Sequence, residues 1–261
     1  MDNGALRYLT YSVSETAVSV DTVVTIDDTV QCHQSDISPD GNWIAYSGDG
    51  GLILLKSMND PDADPTVLFG GGTRAEGHYY AWNAVWMSSP GLLAISYNLW
   101  DLQGRTDEII IAEINLNPSE GAPSIGQIVA GPRLLPEYGV SVAAIESSRT
   151  NNDVIVSVKM KTGELWGKGK NKYEIEEYVV HEWASPQDPD GGSFLPLLDS
   201  QGEYVLGENP CFSPGDSEVV AYRERVSAVI ATTLADGTVR QIASGRLRQP
   251  DWKPASSPVT P

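Results

Sequence analysis

Cysteine is almost missing from this chain: Cys32 and Cys211 are its two. That excludes a disulfide framework and the paired-thiolate spacing of a zinc site. Long apolar runs are missing too, none approaching the roughly 20 residues that span a bilayer. The opening MDNGALRYLT has no basic stretch leading into an apolar one, so no signal peptide is visible. The expectation is either a cytoplasmic protein or the mature or trimmed form of an exported one. Positive charge is scarce, with 17 Lys and Arg against 35 Asp and Glu and a net charge of −18. Such a surface repels phosphate backbones and anionic lipid headgroups, which argues against binding to nucleic acid or to an anionic membrane surface, as the missing apolar runs argue against membrane insertion. Catalytic signatures are lacking: there is no Gly-x-Ser-x-Gly elbow, no phosphate-binding Gly-x-x-x-x-Gly-Lys loop and no Gly-x-Gly-x-x-Gly. The Gly-rich Phe69–Arg74 stretch leads into no helical pattern and reads as a linker.

What the chain does have is turns. Gly and Pro number 25 and 17, while 41% of residues are hydrophobic, enough for a core cut into short strands. SDISPDGNWIAYSGDG (Ser35–Gly50) sets a Ser-Pro-Asp-Gly turn directly before the apolar run Trp43–Tyr46. CFSPGDSEVVAYRE (Cys211–Glu224) repeats it. AVWMSSPGLLAISYN (Ala84–Asn98) varies it, AAIESSRTNNDVIVSV (Ala143–Val158) is a weaker copy without proline, and RQPDWKP (Arg248–Pro254) resembles a first half. After each full copy comes a third strand-like segment, at Leu52–Lys56, Glu108–Ile114, Tyr173–Val180 and Ala228–Thr233. A fourth follows at Thr66–Phe69, Gln127–Val129, Phe194–Leu198 and Thr238–Ile242. β-Branched residues and alternation favour strand over helix throughout.

Four short strands per repeat, recurring at roughly 40 to 65 residues, predict an all-β fold: a β-propeller of four-stranded antiparallel blades. Five turn positions favour five blades, with a sixth left open in the long third interval. In this reading residues 246–254 supply the inner strand of the last blade. Arg7–Val13, Ala17–Val20 and Thr22–Ile26 supply its outer strands, so that the two chain ends close the ring. Residues 1–254 then form one domain, and residues 255–261 a Pro/Ser-rich tail.

The phrases DISPDGNWIAYSG, CFSPGDSEVVAYRE and RQPDWKP resemble the WD40-like repeats of the TolB family, as do TDEIIIAEIN (Thr106–Asn115) and ATTLADGTVRQIASG (Ala231–Gly245). The resemblance implies a propeller used mostly as a periplasmic or extracellular binding platform. The third repeat departs from the Ser-Pro-Asp-Gly pattern, and the helical N-terminal domain of TolB has no counterpart here, so a Tol-system role is not implied.

Polar residues on the expected inner strands suit a water-filled channel: His33, Gln34, Asn83, Glu208, Asn209, Arg246 and Arg248. Aromatic residues crowd HYYAWNAVW (His78–Trp86) and continue to Trp100. Strict alternation sets Tyr80, Trp82, Ala84 and Trp86 on one face and Tyr79, Ala81, Asn83 and Val85 on the other. Part of this set packs between blades. The rest, with Tyr80, Trp82 and Trp100 as candidates, suits stacking on a sugar or a protein partner. Paired carboxylates for glycoside cleavage would come from Asp36, Glu146, Glu208 or Asp251. Asp60, Asp62, Asp64, Asp188 and Asp190 are weak calcium candidates in turn-rich segments; no other cofactor is expected. His33, His78 and His181 lie far apart, and no Cys32–Cys211 disulfide is expected. The leading expectation is a non-enzymatic propeller that recognises a protein partner through rim loops and a polar channel. The alternatives are a carbohydrate-binding or glycoside-cleaving propeller, and a domain trimmed from a larger exported protein or enzyme, which the terminal PASSPVTP suggests.

Overall fold

The computed structural model of the protein describes residues 6–13, 18–28, 32, 34–60, 62–73, 77–102, 104–117, 122–135, 139–166, 173–223 and 226–245. An N-terminal ribbon consists of β1 (Leu6–Val13) and β2 (Val18–Asp27). The first blade contains β3 (Ser35–Ile37), β4 (Trp43–Gly48), β5 (Leu52–Ser57) and β6 (Thr66–Phe69). The second contains β7 (His78–Trp86), β8 (Leu92–Trp100), β9 (Arg105–Asn115) and β10 (Ser124–Leu134). The third contains β11 (Gly139–Ser147), β12 (Val154–Trp166), β13 (Tyr173–Ala184) and β14 (Ser193–Pro196). The fourth contains β15 (Glu208–Phe212), β16 (Glu218–Arg223), β17 (Ala228–Thr233) and β18 (Val239–Ser244). Every blade is an antiparallel meander whose strands pair in chain order.

The expectation of five blades, with a sixth in reserve, is corrected: the described residues form four four-stranded blades and one two-stranded ribbon. The pattern of residues 7–26 suggests three short strands, but the chain forms two long ones paired with each other. The reason is a bulge. Pairing steps from Thr10↔Thr22 to Tyr11↔Val20, so Asp21 is an extra residue within a strand and not a turn between two. Closure by strands shared between the chain ends is not seen either, and residues 246–254, its expected inner strand, lie outside the described residues.

Central strands are apolar on both faces because both faces are covered. In β9 the run Ile109–Ala112 alternates between two cores. Ile109 and Ile111 join Val85, Ile145, Val156 and Trp183 between the second and third blades. Ile110 and Ala112 join Ala45, Ile53, Leu55 and Trp86 between the first and second. Ile155, Val180, Phe212, Val219 and Ile230 fill the space between the third and fourth. Leu6 and Ile26 bring the ribbon against Ile44, Tyr46 and Leu54 of the first. Each fully buried Ile or Leu contributes roughly 1.5–3 kcal/mol.

The repeated turn is a hydrogen-bonded hairpin between the first two strands of a blade. In the first blade the Gly41 amide donates to Ser38 O at 2.8 Å, and the Ser38 hydroxyl accepts from the Trp43 amide at 2.9 Å. Gly41 sits at φ +74°, a left-handed conformation that glycine adopts without strain. In the fourth blade Ser213 takes the part of Ser38, accepting from the Glu218 amide at 3.1 Å, while Asp216 adopts φ +51°. These hairpins also clasp one another. Asn152 accepts from the Ser88 hydroxyl at 2.7 Å and the Ser89 amide at 2.8 Å. Asp216 accepts from the Ser148 hydroxyl at 2.6 Å and from Thr150.

His181 of β13 is fully buried, stacked on Phe194 with ring centroids 5.2 Å apart. Its Nδ1 lies 3.2 Å from Val179 O, and its Nε2 has no hydrogen-bond partner among the described residues. Burial holds the imidazole below its ordinary value, because the charged form would lose its solvation. The unfolded chain therefore binds the proton more readily. The resulting stability is present above about pH 6.5 and is lost progressively as pH falls from there through the lower folded value. His181→Phe should flatten the dependence of the urea midpoint between about pH 7.5 and 5.5 relative to the unsubstituted protein. Equal slopes in the two proteins would contradict this assignment.

Candidate functional site

The first strands of the four blades converge on a cavity of about 1060 Å³. Asp36 of β3, Trp82 and Asn83 of β7, Ser141 to Glu146 of β11 and Asn209 to Cys211 of β15 wall it, with Leu6 and Arg7 of β1. A strand at the centre of a ring turns one set of side chains toward the axis, which is why sparse polar residues on four separate repeats meet here. Gln34 reaches across the ring: its Nε2 donates to Ile145 O at 3.0 Å, and its Oε1 has no hydrogen-bond partner among the described residues.

Strict alternation along β7 fails at one residue. Pairing with β8 steps from Ala81↔Tyr97 to Asn83↔Ser96, so Trp82 is a bulge. The faces exchange there. Ala81 shares a core with Ala84 and Trp86, while Val85 points to the third blade. Trp82 is thereby turned into the cavity wall and left 37% exposed. Its indole Nε1 donates to Asn98 Oδ1 at 2.7 Å, and Tyr80 lies against it with ring centroids 4.4 Å apart. Asn98 Nδ2 in turn donates to Asp107. Asp107 also accepts from Arg105 Nη2 at 2.8 Å, and the Arg105 guanidinium lies over Trp100, 5.5 Å from its ring centroid. Trp82, Tyr80, Arg105 and Trp100 thus form one braced aromatic and cationic wall.

Nearer the hairpin end stands a second group. Arg149 Nη2 lies 3.7 Å from Asp36 Oδ1 and 3.4 Å from Glu146 Oε1. Asp36 is tied to the backbone as well: Oδ2 accepts from the Trp86 amide at 2.8 Å and Oδ1 from the Ile37 amide at 3.0 Å. Burial pushes the Asp36 carboxyl above its ordinary value, opposed by Arg149 and by these two amides. Cys32 and Cys211, both free thiols, line the same cavity. Burial pushes the Cys32 thiol up to about 11, which keeps it protonated and unreactive.

Of the residues singled out from sequence, Gln34, Trp82, Asn83 and Asn209 line the cavity, with Tyr80 and Trp100 braced beside it. Glu208 faces a separate pocket of about 280 Å³ between the third and fourth blades, near Tyr178, Tyr222 and Arg223. His33, Arg246, Arg248 and Asp251 lie outside the described residues. Asp60, Asp62, Asp64, Asp188 and Asp190 are exposed. Among the described residues no three His, Cys, Asp or Glu side chains gather to hold a metal ion. Nor is any helix among them long and apolar enough to cross a membrane. Sequence reasoning gave no binding part to Arg7, Arg105 or Arg149; only the cavity brings them together.

No protein-family model matches the chain, and no curated protein sequence does. Solved structures do resemble it. A protein assigned as TolB from Agrobacterium tumefaciens aligns at a TM-score of 0.52 and 14% identity, over 86% of this chain and 66% of its own. A chain of a nidogen/laminin complex aligns at 0.50 and 12%, over 87% and 68%. A GH93 α-L-arabinofuranosidase of Fusarium graminearum aligns at 0.49 and 12%, over 93% and 79%. The chain therefore spans just under two thirds of the TolB structure. At these identities the likeness is one of fold: a propeller related in architecture to TolB.

Asp36 is the joint between the cavity and the blade interface. Replacing it by Ala leaves the fully buried Trp86 amide without its acceptor, and Asp36→Ala should cost about 1–3 kcal/mol in urea unfolding. Asp36→Asn keeps an acceptor oxygen and should recover part of that loss. Equal stability of Asp36→Ala and the unsubstituted protein would refute the role.

Proposed function

We propose that the chain is a glycan-binding propeller whose ligand enters the central cavity and stacks a sugar ring on Trp82. The observation that carries this is the β7 bulge. It turns one tryptophan out of the interblade core into the cavity wall and fixes its indole N–H on Asn98. Such a flat, braced, amphipathic surface suits the apolar face of a sugar. The amides around it suit the hydroxyls. Gln34 Oε1 is a buried acceptor with no partner among the described residues, and buried polar atoms are seldom left so. The cavity volume suits a ligand of a few sugar units.

Binding, and not cleavage, is the reading we favour. Glycoside hydrolysis needs two carboxyl groups free to exchange protons. Both oxygens of Asp36 already accept backbone amides, which gives that carboxylate a structural task. The Ser-Pro hairpins at matching places in the first and fourth blades support descent of these blades from TolB-type WD40-like repeats. A protein partner is the second reading. Leu195, Leu198 and Tyr204 stand exposed along the outer part of the third blade, where such a partner would dock without using the cavity.

Calorimetric titration of the protein with neutral and charged oligosaccharides tests the proposal. At least one should bind, with Trp82→Ala weakening it about tenfold or more. Leu195→Ala should leave that affinity unchanged. Glycan binding indifferent to Trp82→Ala would overturn the assigned site.

A further inference from the structure

We propose that the glycan is acidic, its carboxylate or sulfate groups read by Arg149 and Arg105. The inference rests on the glycan reading above and adds the charge of the ligand to it.

The first observation is an inversion of charge. The whole chain has 17 basic residues against 35 acidic ones, yet among the described residues the cavity is lined by three arginines, Arg7, Arg105 and Arg149, and two acids, Asp36 and Glu146. No lysine is among the described residues that line it. Arginine presents a planar fork of donors that matches a carboxylate or sulfate edge, and lysine does not.

The second observation is how loosely Arg149 is held. Charge-assisted N–H···O contacts usually run about 2.7–2.9 Å. Arg149 meets its two carboxylates at 3.4 and 3.7 Å, both through Nη2, and its side chain is 52% exposed. The Nε and Nη1 edges take no part in those contacts. Asp36 meets Arg149 through Oδ1, which also accepts the Ile37 amide. A ligand anion can therefore approach the Nε and Nη1 edge, which no contact among the described residues occupies, without displacing a tight pair.

The third observation is that Arg105 is fixed beside the aromatic wall. It lies over Trp100, is pinned by Asp107 and is joined to Trp82 through Asn98. A sugar stacked on Trp82 would present an equatorial acid group near it. One guanidinium thus stands at the aromatic wall and another toward the hairpins, an arrangement suited to an oligosaccharide with repeated negative groups.

Titration with three tetrasaccharides decides the matter: a uronic-acid oligomer, its carboxyl-reduced neutral counterpart, and a sulfated neutral-sugar oligomer. The acidic forms should bind about tenfold or more tightly than the neutral one, and rising salt should erode that difference. Arg149→Gln and Arg105→Gln should each lose about tenfold for the acidic ligand with little change for the neutral one. Arg149→Lys should fall between, since charge alone lacks the fork. Arg240→Gln, remote from the cavity, serves as the control. Preference for the uronic acid names carboxylate as the group read; preference for the sulfated form names sulfate. If the neutral oligomer binds as well as the acidic ones and Trp82→Ala still weakens it, the charge inference is overturned while the glycan reading stands. If none of the three binds, both fall together.

Discussion

Each central strand of a blade serves two hydrophobic cores at once, and the other features of the molecule follow from that constraint. Ile109 and Ile111 belong to one interblade core, while Ile110 belongs to the next. A strand so used cannot have a solvent face, which is why the middle strands read as near-continuous apolar runs. It also cannot shift relative to its neighbours without opening a gap on both sides. The blades therefore hold one another, and the polar clasps at Asn152 and Asp216 fix the ends of the strands that the apolar cores fix in the middle.

Rigidity of that kind gives the cavity its character. Polar residues of the first strands, Asp36, Asn83 and Asn209 among them, stand around the open space of the cavity. Asp36 links the two regimes: one end of its carboxylate holds the Trp86 amide of the next blade, and the other meets Arg149 in the cavity. The β7 bulge acts in the same way for Trp82, moving it from the packed layer to the wall while leaving Ala84 and Trp86 in the core. Site and scaffold are thus made from neighbouring residues of the same strands, and a glycan would find a surface that needs little reorganisation.

Much of the architecture was legible in the sequence because hairpin chemistry is local. Ser38, Pro39 and Gly41 announce a turn whatever surrounds them, and Thr66–Phe69 and Ala228–Thr233 have the strand bounds the pattern suggests. The number of blades was not legible. Asp21 between two β-branched runs looks like a turn, and only pairing with β1 makes it a bulge. Trp82 misleads in the same way, since an extra residue in a strand leaves no mark in an alternating pattern. Arg149 was hidden for a different reason. It falls in the weakest copy of the repeat, and its partner Asp36 comes from another blade. Gln34, Asn83 and Asn209 were legible as inner-strand polar residues, whereas Glu208, on the same strand as Asn209, turns to a different pocket.

Native-state hydrogen exchange tests the shared-core account most directly. If neighbouring blades share their cores, the amides of Leu92–Trp100, Arg105–Asn115 and Val154–Val158 should exchange together through one common opening, while the outer strand Val239–Ser244 exchanges faster. Separate opening of the second and third blades, each with its own exchange free energy, would show that they stand independently and would contradict the account.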